Sequence, residues 1–390
     1  MLLRDKRYLT IFLIQITEVL GFSLILPFLP LYAEELGASP LLIGVVLASF
    51  SLFQFLSAPI LGRLSDLYGR KPILIISQIS TLLGFLMLGF ADTMFLVFLS
   101  RAIDGIFGSN FTVTQAYLSD ISSKEERSAA FGISGIAFGI GFLFGPAIGG
   151  YLVNISFSLP AFLAAGMTIL TIILTVTLLR ETIKPDPQRT FQVKILDTTQ
   201  FKKYFKNNYV RTQLLKQFIF TLASFIFITS LALYANRQIG LDSDHIGYVL
   251  AYVGLISIIF RGGILRMLIK KFGESLLQNV GFITFTISLL LLAFVNNWIG
   301  FICMITLFSI SSGLLRPLII GAISRAGSDK EQGAIIGVSD GLTSVAQIIG
   351  PLVGNTLLNY FFPGIIGIAA SLISLCAVIL VYKESRQTKA

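Results

Sequence analysis

Three carboxylates and two guanidinium groups lie deep inside long apolar runs of this 390-residue chain: Glu18, Asp104 and Asp340, with Arg101 and Arg316. An ionisable side chain in an apolar span costs roughly 2.5–3.5 kcal/mol on insertion scales, so by default it faces a cavity and carries a function. Removing a carboxyl from water favours its neutral form. A buried acid can therefore take a proton from one side and release it to the other, which is the chemistry of proton coupling. Glu18 has only apolar neighbours and Gln15 nearby in sequence, which makes it the first candidate. Asp104 follows Arg101 by one turn and has two readings, a titrating group or half of a structural ion pair. Asp340 also has two, a second proton or cation site or the partner of Arg316.

The elements that must position these groups are membrane helices. The sequence is 55% hydrophobic and 13% charged, with mean hydropathy +0.84. Many apolar runs of about twenty residues at that density mark an all-α polytopic membrane protein. Twelve spans are expected, at 8–32, 42–62, 72–91, 94–117, 127–153, 158–180, 210–235, 244–264, 274–295, 298–322, 332–357 and 362–382. Glu18 and Asp104 fall about ten residues into the first and fourth spans, and Asp340 about eight into the eleventh, so all three sit near mid-depth. Of the 29 Lys and Arg, all but Arg101, Arg316 and Arg237 fall at the N-terminus, in or beside the even-numbered loops, or at the C-terminus. The positive-inside rule then makes both termini cytoplasmic. The only long polar stretch, 181–209, divides the chain into 1–180 and 210–390. Its cluster of Lys202, Lys203 and Lys206 with Arg211 suits a surface helix beside anionic lipid.

Several function classes are disfavoured. The net charge of +9 follows from the loop asymmetry, and its basic residues are too scattered for a nucleic-acid partner. Cys303 and Cys376 both lie in apolar runs, which implies no disulfide framework, and the single His245 leaves no histidine metal cluster. An enzyme would need a nucleophile–base or metal constellation, and none is visible. No P-loop is present for ATP-driven pumping, no removable signal segment precedes the first span, and no cofactor is expected. A receptor or scaffold would carry a larger soluble part than the central 29 or so residues.

The stretch Gly132–Gly150, GISGIAFGIGFLFGPAIGG, holds seven glycines and Pro146. Such density costs a soluble helix roughly 1 kcal/mol per glycine, but in lipid it lets helix backbones pack closely. Gly132, Gly135 and Gly139 form one stripe and Gly141, Gly145 and Gly149 another, which predicts close packing on two neighbours. Pro146 predicts a kink. The order Gly132, Gly141, Gly145-Pro146, Gly149-Gly150 resembles the fifth-helix antiporter motif of the major facilitator superfamily, in its drug/proton antiporter branch. In the loop after the second span, Gly62-x-Leu64-Ser65-Asp66-x-x-Gly69-Arg70-Lys71 resembles the superfamily's motif A. The first span, with Glu18, Gly21, Pro27 and Pro30, is similar to that of the tetracycline/proton antiporters, which place an aspartate where Glu18 stands. Arg101-x-x-Asp104-Gly105 resembles motif B with its glutamine replaced.

A repeat supports two halves. A shift of 205 lays Gly132 on Gly337, Gly145-Pro146 on Gly350-Pro351 and Gly149 on Gly354. A shift of 204 lays Gly69 on Gly273, while Asp66 and Arg70 become Lys270 and Glu274, a charge pair of reversed sign.

The resemblance implies twelve transmembrane helices in two pseudo-symmetric six-helix bundles. It implies a monomeric exporter of hydrophobic or amphipathic small molecules, drugs among them, in exchange for protons by alternating access. It also implies a cytoplasmic latch in which Asp66 docks on the eleventh helix and trades Arg70 for Arg127, with Asp120 in the same cluster. By family analogy Gln15, Phe22, Phe50, Gln54, Arg101, Asn110, Gln115, Gln217, Phe220, Tyr252, Ser344 and Gln347 line the substrate cavity. Aromatic walls with amides and an acid suit an amphipathic, cationic drug. A proton-coupled symporter, or an exporter of a metabolite or sugar, would share the fold.

Overall fold

The computed structural model describes residues 5–123, 126–183, 198–260, 264–326 and 332–387. Among them every regular element is helical. The first span is α1 (Lys6–Ile25) and α2 (Leu29–Glu35), parted at Pro27. Next come α3 (Pro40–Tyr68) and α4 (Arg70–Gly89). The fourth span is α5 (Met94–Phe107) and α6 (Asn110–Ile121), and the fifth and sixth are α7 (Arg127–Val153) and α8 (Ser158–Leu178). The linker holds α9 (Thr198–Lys206). Then follow α10 (Asn208–Tyr234), extended by the π-helical turn Ala235–Ile239, α11 (Ser243–Ile259), α12 (Leu265–Phe272), α13 (Glu274–Leu291), α14 (Trp298–Arg325), α15 (Gln332–Tyr360) and α16 (Ile365–Gln387). Eleven of these spans are long and apolar enough to cross a membrane, and α11 is the shorter twelfth. Local chemistry sets several starts: Asn207 Oδ1 accepts from Tyr209 N and Val210 N at 3.0 and 3.2 Å, and Asn297 Oδ1 from Gly300 N at 2.8 Å.

Two compact units form. The first comprises Met1–Ala38, Ser49–Ile195 and Asp242–Gly254, and the second Ser39–Ala48, Leu196–Leu241 and Leu255–Ala390. The start of α3 belongs to the second unit and the start of α11 to the first. Glycine is the cause. A Cβ on Gly247 of α11 would strike the Pro146 carbonyl of α7, and one on Gly44 of α3 would strike the Pro351 carbonyl of α15. Backbones touch at both places because neither residue carries a side chain.

The second glycine stripe packs as expected. In the first unit Cβ atoms on Gly141, Gly145 and Gly149 would run into Val19, Ser23 and Leu24 of α1, and Ser23 Oγ donates to the Gly141 carbonyl at 2.8 Å. In the second unit Gly350 and Gly354 of α15 meet Phe225, Ile226 and Ser230 of α10 in the same way. Gly150 completes the seam, closing on Gly247. The expected packing of the first stripe is corrected at two positions. Among the described residues a Cβ on Gly132 or Gly135 would meet nothing within 4 Å, and both glycines are exposed.

A matching pair of tyrosines ties the third and ninth spans. Tyr32 OH donates to the carbonyls of Leu88 and Ala91 at 3.2 and 2.5 Å, and Tyr234 OH to those of Leu292 and Val295 at 2.7 and 3.1 Å. The accepting carbonyls of the two units lie 204 residues apart in sequence, so the repeat holds in hydrogen bonds as well as in residue types.

Candidate functional site

The fourth span was expected to be continuous, and it breaks at Gly108-Ser109, four residues after Asp104. Gly108 N turns back to the Asp104 carbonyl at 2.6 Å, and Ser109 N to that of Phe107 at 2.9 Å. Hydroxyls of neighbouring helices bond carbonyls on the α5 side of the break. Ser57 Oγ donates to Gly105 O at 2.9 Å, Ser80 Oγ to Ile103 O at 2.9 Å and Ser77 Oγ to Phe107 O at 2.7 Å. Gln54 Nε2 donates to Gly108 O at 3.4 Å. A broken helix holds in lipid when side chains re-satisfy its backbone in this way.

The break sets Asp104 beside α4. Asp104 is buried, accepts from Thr81 Oγ1 at 2.8 Å, and pairs with Arg101 Nη1 at 3.4 Å. Gly84 makes room, since a Cβ there would lie 3.1 Å from that of Asp104. The Arg101 guanidinium lies 6.0 Å from the Phe50 ring centre and 5.8 Å from that of Phe85, while its Nη2 is buried with no hydrogen-bond partner among the described residues. The ion-pair reading of Asp104 therefore has its geometry. Asn110 Nδ2 donates to the same Thr81 hydroxyl at 3.1 Å.

Glu18, half-buried on α1, accepts from Gln78 Nε2 of α4 at 3.1 Å. Gln78 also donates to Thr175 Oγ1 of α8 at 2.9 Å. Gln15, one turn before Glu18, is buried and donates to Thr114 Oγ1 of α6 at 3.3 Å. Both acids of the first unit thus turn toward one face of α4, where Gln78 and Thr81 stand three residues apart. In the second unit Asp340 of α15 is exposed and lies close enough to Arg316 of α14 for their charges to interact.

Among the other cavity candidates, Phe22 and Phe50 place their rings 6.2 Å apart. Gln217 is buried and donates to Thr221 and Thr343, both at 3.4 Å, while Tyr252 and Gln347 are half-buried. Gln115 is half-buried, and Ser344 Oγ donates to the Asp340 carbonyl at 3.0 Å. Phe220 is buried, its ring 5.1 Å from that of Phe285, in a chain of aromatic contacts that continues through Phe308 to Phe227.

The latch residues meet at the junction of α3 and α4. Gly69 has φ +104°, a conformation that favours glycine, and a Cβ there would strike the Glu181 carboxylate. Arg70 is buried, pairing with Asp66 Oδ1 at 2.6 Å and Asp120 Oδ2 at 2.8 Å and donating to Ser65 Oγ at 2.6 Å. Gly62 is not tightly packed, its nearest contact being Thr112 at 3.7 Å from a Cβ. The side chain of Arg127 lies outside the described residues.

Three participants escaped the sequence reading. Glu181 caps α4, accepting from Arg70 N and Lys71 N at 2.9 and 3.0 Å. Arg325, at the end of α14, pairs with Glu274 and stands where the repeat places Asp120, so all three positions of the cluster reverse charge between halves. Lys216 of α10, grouped by sequence with the loop charges, is 1% exposed and pairs with Glu384 of α16, with Gln278 Oε1 of α13 at 3.2 Å. A lysine one to two turns inside a span looks like an interfacial anchor until its partner two helices away is known.

A model described as the Major Facilitator Superfamily matches residues 11–281 and 214–390. The class H tetracycline resistance protein of Pasteurella multocida is 30% identical over 394 residues, covering 98% of both chains. Multidrug resistance protein 1 of Bacillus subtilis is 28% identical and covers 87% of this chain and 86% of its own. Among solved structures, the human organic anion transporter MFSD10 superposes with TM-score 0.72 at 20% identity, covering 96% of this chain and 99% of its own. The nucleoside transporter NupG reaches TM-score 0.78 at 14% identity, covering 99% and 100%, a likeness of fold alone. With the family model across both halves, a relative matched end to end, and the glycine seams and the Arg70 ion-pair cluster in place, the chain belongs to the major facilitator superfamily.

Proposed function

We propose that the chain exports hydrophobic or amphipathic small molecules, tetracycline-like drugs and cationic dyes among them, in exchange for protons. The observation that carries this is the end-to-end similarity to a tetracycline resistance protein. Glu18 is the coupling acid and Asp104 and Asp340 are secondary ones, with Phe22, Phe50, Gln54, Asn110, Tyr252 and Gln347 on the substrate side. The protein works as a monomer in the inner membrane with both termini cytoplasmic. Asp66 exchanges Arg70 for Arg127 as the halves rock, and α9 lies on anionic lipid through its exposed Lys202, Lys203 and Lys206.

The test is substrate-induced proton release in proteoliposomes given ethidium or tetracycline. The parent is expected to dissipate the pH gradient as substrate moves, and Glu18→Gln is expected to lose that coupling. Substrate movement without proton flux overturns the antiport reading. No movement of either compound favours an endogenous metabolite as cargo.

A further inference from the structure

The hydrogen bonds around α4 form two clusters, one on Gln78 and one on Thr81, set side by side in a way that neither the motifs nor the family resemblance describes. Gln78 and Thr81 lie on one face of that helix. Gln78 holds Glu18 of α1 and Thr175 of α8, and Thr81 holds Asp104 and Asn110 on either side of the break between α5 and α6. Two acids on different helices therefore hang from one stretch of α4. Close by, the Gln78 Oε1 and Asn110 Oδ1 atoms are buried acceptors with no hydrogen-bond partner among the described residues. A buried acceptor left unpaired is costly, and each such atom asks for a donor. An ionised carboxylate can only accept, whereas a carboxylic acid offers an O–H. The amide of Gln78 can serve both states, with Nε2–H donating to the ionised Glu18, as seen, and Oε1 accepting from the protonated one after a turn of the side chain.

We propose that Glu18 and Asp104 act as one proton-sharing site bridged by the Gln78–Thr81 face of α4, with Gln78 the positioning residue for Glu18 in both protonation states. This rests on the proton-exchange reading above. When a proton binds, one acid gains an O–H bond while the other stays ionised, and the proton is taken from and returned to the aqueous phase. Arg101 is the charged group that faces Asp104 from its own helix, holding one acid ionised while the other is protonated. The surrounding helices bring Gln78 and Thr81 from α4, Thr171 and Thr175 from α8 and Gly141 and Gly145 from α7, none of them titratable. The bridge lies within the first unit.

The test uses the full-length protein in liposomes. Infrared difference spectra against pH follow the carboxylic acid C=O band, with pH-gradient-driven ethidium efflux measured in parallel. The band midpoint is assigned by its loss in Glu18→Gln. Gln78→Met, which keeps the volume and removes both polar ends, is expected to move that midpoint by about one pH unit and to shift the pH profile of efflux with it. Gln78→Asn is expected to restore part of the shift. Asp104→Asn is expected to move the Glu18 midpoint as well, because shared protons titrate as a pair. Thermal melting in detergent separates misfolded variants from altered ones. A parental midpoint in folded Gln78→Met, or a Glu18 midpoint indifferent to Asp104→Asn, overturns the bridge while leaving antiport standing. Coupled midpoints in a protein that moves ethidium without any pH gradient would support the bridge and overturn antiport.

Discussion

Lys216 has no exposed surface to speak of, yet it carries a charge paired with Glu384, which is 28% exposed. Breaking such a pair from the buried side leaves the partner groups arranged around nothing. Lys216→Met is expected to destabilise the protein by about 3 kcal/mol, and the double variant with Glu384→Met by less, since no carboxylate then remains uncompensated. Thermal unfolding in detergent, read as a double-mutant cycle, checks both. Residues of this kind mark where sequence reading stops. The depth of Glu18 and Asp104 in their spans was visible from hydropathy alone. The role of Lys216 depends on Gln278 and Glu384, which lie 62 and 168 residues away in sequence. The contact of Phe220 with Phe285 was likewise out of reach, because the two rings lie on different helices and hydropathy does not say which ring meets which.

Helix packing separates the two glycine stripes of α7. A methyl group on Gly145 would collide with Ser23 of α1, whose hydroxyl is already committed to Gly141, whereas one on Gly132 would enter open space. Gly145→Ala is therefore expected to cost about 1–3 kcal/mol. Gly132→Ala is expected to be neutral or stabilising by up to about 1 kcal/mol, both read as shifts in melting temperature. The spans themselves were legible because a membrane fixes their length and apolar content. The break in the fourth span was not. A run of hydropathy does not register which carbonyls Ser57, Ser77 and Ser80 can reach from neighbouring helices, and those bonds are what make the interruption tolerable.

Across the whole chain the repeat is more faithful in contacts than in residue types. Gly44 and Gly247 perform the same close approach, and Tyr32 and Tyr234 the same anchoring, in halves whose sequences diverge elsewhere. Tyr32→Phe and Tyr234→Phe are accordingly expected to destabilise by similar amounts, about 1 kcal/mol each for the lost hydrogen bond, measured by thermal unfolding. The inversion of charge at Asp66/Lys270, Arg70/Glu274 and Asp120/Arg325 keeps the device and changes its setting. In the first unit the central Arg70 is 8% exposed, while in the second the Arg325 and Glu274 side chains are 60% and 37% exposed. Dissolved ions screen charges in water over about 10 Å at 0.1 M and reach buried pairs far less. Raising ionic strength should therefore loosen the second cluster more than the first, so that the salt content of the solution bathing these loops acts more on one half of a duplicated machine than on the other.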